Sequence, residues 1–80
     1  MREKSYRGVF SKMGESLLEK FIEDLKRELE QRPYDPETLF KLGVAYSRVG
    51  KVSEAREVYK KLRELDTEKA KELLDIIYKV

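Results

Sequence analysis

Between residues 36 and 69, small and bulky apolar residues recur at intervals that suit two helices packed face to face. Leu39, Leu42, Gly43 and Tyr46 fall at i, i+3, i+4 and i+7, which is one face of a helix. Ala55, Val58, Tyr59 and Leu62 repeat the same spacing after a break at Gly50. A strand would need alternation at every second residue, and neither set provides it. Gly43 and Ala55 are small, so the two helices can approach closely while Tyr46 and Tyr59 fill the space beside them. This pattern constrains the fold more than any other feature of the chain.

The turn chemistry extends it in both directions. Leu17, Leu18, Phe21, Ile22, Leu25 and Leu29 form an apolar stripe over about residues 14–31, opened either by Ser16 and Glu19 as a capping box or earlier, near Ser11. Pro33 stops that helix, and Asp35-Pro36 opens the next as N-cap and first helical residue. Gly50 suits the left-handed conformation that closes a helix. The second helix of the unit spans about 52–65, and Asp66 or Thr67 caps a final helix to about residue 79. The expected architecture is an all-α, antiparallel helical hairpin stack of about four helices in a single domain, since links this short make neighbours antiparallel.

The 34-residue unit resembles a tetratricopeptide repeat, whose pattern is a bulky residue, x₂, Leu-Gly, x₂, Tyr, then Ala, x₃ and an aromatic residue. Here those positions are Leu39, Leu42-Gly43, Tyr46, Ala55 and Tyr59. Leu39 replaces the commoner Trp, and Thr67 stands where the closing Pro belongs. Residues 14–31 take the place of the second helix of a preceding, irregular repeat. The resemblance implies a protein-binding scaffold. Its concave face would be lined by Phe40, Lys41, Val44, Ser47 and Arg48, joined by Leu74 and Tyr78 of the final helix. On the wheel, Phe40 and Val44 point away from the Leu39–Tyr46 stripe, so they are expected to be spared by the inner packing or covered by neighbouring helices. The branch of the family that grips chaperone tails uses an Asn at the position of Val44, and this chain contains no Asn. An apolar or amphipathic protein segment suits the face better.

Before residue 14 two readings stay open. Tyr6, Phe10 and Met13 sit at i, i+4 and i+7, and 10–14 echo 46–50, which suits a truncated helix. Gly8 opposes it, and Arg2, Lys4, Arg7 and Lys12 would suit a basic arm with Tyr6 and Phe10 free for a partner.

Catalysis has little to stand on. The chain has no His and no Cys, so the usual general base, soft nucleophile and thiolate metal site are all lacking. The sixteen carboxylates fall mostly at outward helix positions beside Lys or Arg, and Glu28, Glu57 and Glu64 read as surface ion-pair partners. No cofactor, metal site or enzymatic role is expected. A formal net charge of +2, with Lys60, Lys61 and Arg63 flanked by Glu57 and Glu64, argues against nucleic acid, although helical repeats that read RNA have a similar architecture. No apolar run reaches the ~20 residues that cross a bilayer, and no secretory leader is visible, so a cytoplasmic protein is expected. Charged residues make up 42% of the chain with only one Gln and no Asn, which resembles thermophile composition.

The final helix carries Leu73, Leu74, Ile76, Ile77, Tyr78 and Val80, more apolar surface than one preceding hairpin can cover. Self-association through Leu74, Ile77, Tyr78 and Val80 is therefore expected, most simply as a homodimer. The alternatives are a structural subunit of a larger assembly and, third, an RNA-binding repeat protein.

Overall fold

The computed structural model describes residues 14–78. The readings that concern residues 1–13 and Val80 lie outside this span. Four helices follow one another, α1 (Glu15–Gln31), α2 (Pro36–Arg48), α3 (Val52–Leu65) and α4 (Thr67–Tyr78), with no strand among the described residues. The fold is an all-α helical hairpin stack. Helix α2 packs against α1, α3 and α4, while α3 also packs against α4. One helix is thus enclosed by three.

Local chemistry explains the boundaries. Pro36 occupies the start of α2 behind the N-cap Asp35, where its missing N–H costs nothing. The Thr38 hydroxyl donates to the Asp35 carboxylate at 2.6 Å. That bond holds the Asp35 pKa below the ordinary carboxylate value, burial opposes it, and the positive Arg32 assists it. Thr38 is a buried polar residue, and this contact satisfies it. Asp66 caps α4, its Oδ1 accepting the Lys69 N–H at 3.1 Å. The capping box does not form. Helix α1 begins at Glu15 behind Gly14, so Ser16 already lies inside the helix and cannot cap it.

Helix α2 ends in a Schellman closure. Lys51 N–H reaches Tyr46 O at 2.8 Å, and Gly50 N–H reaches Ser47 O at 3.2 Å. Gly50 sits between them at φ +85°, in the left-handed region. A Cβ there would touch nothing within 4 Å, so only the backbone resists substitution. Gly50→Ala is expected to cost about 1–2 kcal/mol, the left-handed penalty of an L-residue. Gly50→Asn should cost less. Urea titration of both variants checks this, and equal stabilities for wild type and Gly50→Ala would remove the closure.

The core joins all four helices through Leu18, Ile22 and Leu25 of α1, the Leu39–Tyr46 stripe of α2, Ala55, Val58 and Leu62 of α3, and Ala70 and Leu73 of α4. Two details depart from the sequence reading. Leu17 is 58% exposed, because it lies at the edge of the α1 stripe. Gly43 makes room chiefly for α4, since a Cβ on it would lie 2.5 Å from Leu73 Cδ2 and 2.8 Å from Cδ1. The small residue thus serves the stacking of one hairpin on the next, and α3 is not its nearest neighbour.

Candidate functional site

The face expected to bind a partner is built on α2 and α4. Every residue of α2 from Thr38 to Tyr46 is buried except Lys41. Phe40 and Val44 are each 2% exposed and belong to the core. This corrects the expectation that inner packing spares them. A helix in contact with three others buries far more of its circumference than the single stripe that the i, i+3, i+4 pattern marks.

Lys69 of α4 covers this part of α2. Its Nζ lies 5.7 Å from the centre of the Phe40 ring and 3.7 Å from Glu37 Oε1. Lys69 is partly withdrawn from solvent, so this contact is screened less than an open surface pair. No pattern in the sequence marked Lys69, because its partners lie in another helix.

The other expected contacts separate. Lys41 and Ser47 are half-buried and Arg48 is exposed on the open side of α2. On α4, Leu74 and Ile77 are half-buried and Tyr78 is 56% exposed. Successive helix residues turn by about 100°, so Leu74 and Tyr78 lie well round from the Lys69–Leu73 edge that meets α2. They do not share a floor with Phe40 and Val44.

The surface charges are mostly local pairs. Arg27 reaches Asp24 at 3.0 Å, Arg32 reaches Glu28 at 2.8 Å, and Lys60 reaches Glu57 at 3.7 Å, all between exposed groups. Such pairs contribute little. Glu28 and Glu57 are therefore ion-pair partners as read, while no ion pair is seen for Glu64 among the described residues. Arg63 instead lies over the Tyr59 ring, 5.6 Å from its centre. No group of three or more acidic residues able to hold a metal ion occurs among the described residues. No helix there is long and apolar enough to cross a membrane.

The family model for the bacterial transcriptional activator domain (BTAD) matches residues 10–80. No curated protein and no solved structure matches the chain.

Proposed function

Because the chain belongs to the bacterial transcriptional activator domain family, we propose that it is a non-catalytic, cytoplasmic protein-interaction module of a transcriptional regulator. The observation that carries this reading is the enclosed α2. A helix held on three sides by α1, α3 and α4 leaves the outer faces of the stack for contact with other molecules. We read residues 36–69 as a tetratricopeptide repeat, supported by Gly43 seated on Leu73 and by the glycine closure at Gly50. The partner is a protein segment, and on α2 it meets Lys41, Ser47 and Arg48 rather than the enclosed Phe40 and Val44. Co-purification with wild type and with Lys41→Glu/Arg48→Glu, both confirmed folded, tests that face. A partner retained equally by both proteins removes it.

Self-association is the second reading, favoured by the exposed Tyr78 beside half-buried Leu74 and Ile77. Light scattering at micromolar concentration decides it. A particle of twice the 9.5 kDa chain mass supports a homodimer, and a 9.5 kDa particle removes it. RNA binding is separable by salt, because counterion release makes nucleic-acid affinity fall steeply as salt rises.

A further inference from the structure

Helix α3 carries a second seam that the core does not use. Its buried residues are Ala55, Val58 and Leu62. On the flank beside them, Val52, Arg56, Tyr59 and Arg63 recur at i, i+4, i+7 and i+11, the mean 3.5-residue spacing with which a helix meets a partner helix. Part of this seam is already ordered. Tyr59 is half-buried against the core, and the Arg63 guanidinium is laid over its ring.

Helix handedness fixes where the seam points. Seen down α2 from its N-terminus, residue positions advance clockwise, and the Gly43–Leu73 contact puts α4 at the top. Leu39, Tyr46 and Leu42, the stripe that faces the second helix of the hairpin, lie roughly 40–100° anticlockwise of Gly43. Lys41 and Arg48 lie roughly 140–160° clockwise of it, so α3, which packs on both α2 and α4, lies to the left. It runs antiparallel to α2, and its positions advance anticlockwise. The order Val58, Leu62, Ala55, Tyr59, Arg63 therefore sweeps from the α2 side, across the α4 contact, to the outer end of the stack. On α4, the order Leu73, Ala70, Leu74, Tyr78 turns towards α3 and then outwards. Tyr59 and Leu74 thus border one furrow between α3 and α4, on the side away from α1.

The furrow has an apolar floor and a basic rim. Tyr59 and Leu74 are half-buried and Tyr78 is exposed, while Arg56, Arg63 and Lys71 stand at its edges. None of these three cations has an ion pair among the described residues. The α3 carboxylates Glu57 and Glu64 lie roughly 80–120° further round the helix, outside the furrow. On α4 the exposed Asp75 stands roughly 40° beyond Lys71, so the positive rim is carried chiefly by Arg56 and Arg63. We infer that the α3–α4 furrow docks an acidic amphipathic helix from another protein, its apolar stripe on Tyr59, Leu74 and Tyr78 and its carboxylates on Arg56, Arg63 and Lys71. A helix fits because both walls are helices, and opposite charge at the rim selects its sign. The inference rests on the reading of the domain as an interaction module, and it adds a second docking face remote from Lys41 and Arg48.

The test uses fluorescence anisotropy with a labelled leucine/glutamate amphipathic helical peptide, its leucine/lysine counterpart and a short DNA duplex. The glutamate peptide should bind the full chain about tenfold or more tightly than the lysine peptide. Arg56→Glu/Arg63→Glu should reverse that preference. Both positions are exposed, so the fold should survive, and circular dichroism verifies it. Should the reversed pair misfold, Arg56→Gln/Arg63→Gln should still abolish the preference. Equal binding of the two peptides, or binding of neither, overturns the inference. Duplex DNA binding that depends on the same arginines overturns it in favour of a nucleic acid. A dimer that dissociates on charge reversal overturns it in favour of a second copy. Loss of binding to Lys41→Glu/Arg48→Glu alone would count for the α2 face and against the furrow.

Discussion

Phe40→Ala combined with Val44→Ser is expected to leave the domain unfolded at room temperature. Both residues are 2% exposed and sit within the core that α2 shares with its neighbours. A buried Phe→Ala change costs about 3–5 kcal/mol through lost transfer energy and the cavity left behind. Val44→Ser adds a hydroxyl without an evident partner, a further penalty of about 1–3 kcal/mol. An ordinary domain of this length is stable by only about 4–12 kcal/mol. The two losses together therefore approach or exceed the whole. Thermal melts followed by circular dichroism give the answer directly. A double variant that melts with the wild type would return both residues to the surface and restore them as partner contacts.

This expectation reverses what the helical wheel alone suggests, and the reason is physical. The i, i+3, i+4 pattern reports the face a helix turns to its strongest apolar neighbour. Helix α2 has three neighbours, and its second and third contacts involve residues such as Phe40 that stand singly in the pattern. Local chemistry was far more legible. Pro36 at the start of α2, Gly50 at φ +85° and Asp66 before α4 perform the roles that their types imply, because those roles depend on residues only a few positions away. Asp35 holds the N-cap position with its carboxylate on the Thr38 hydroxyl and makes no side-chain cap bond to the backbone. The Lys69 contact with Glu37 and Phe40 had no such local mark. Neither did the pairing of Gly43 with Leu73, although Gly43 itself was marked as a close approach. The apolar excess of α4 was legible, and so was the presence of Tyr59. That Arg63 lies over the Tyr59 ring is an i, i+4 contact within α3, whereas how Tyr59 stands relative to Leu74 depends on how α3 and α4 sit on α2.

The Gly43–Leu73 contact supports a prediction that separates packing from helix propensity. Leu73 is fully buried, so Leu73→Ala should cost about 2–5 kcal/mol. Gly43→Ala acts through two opposed terms. Replacing a mid-helix Gly by Ala gains about 1 kcal/mol of helix propensity. The new Cβ, however, would stand 2.5 and 2.8 Å from the two Leu73 methyl carbons, and a fully buried Leu has little room to turn them away. Overpacking of this kind costs about 1–3 kcal/mol, so the single variant should be neutral to destabilised, and Gly43→Leu far more so. In the Leu73→Ala background the obstructing methyls are gone and only the propensity term remains. Gly43→Ala should then stabilise, and the double variant should be more stable than the two single changes predict by about 1–3 kcal/mol. Urea unfolding of the four proteins measures the coupling. Strict additivity would show that α4 does not rest on Gly43, and the stacking of the second hairpin on the first would have to be rebuilt around another contact.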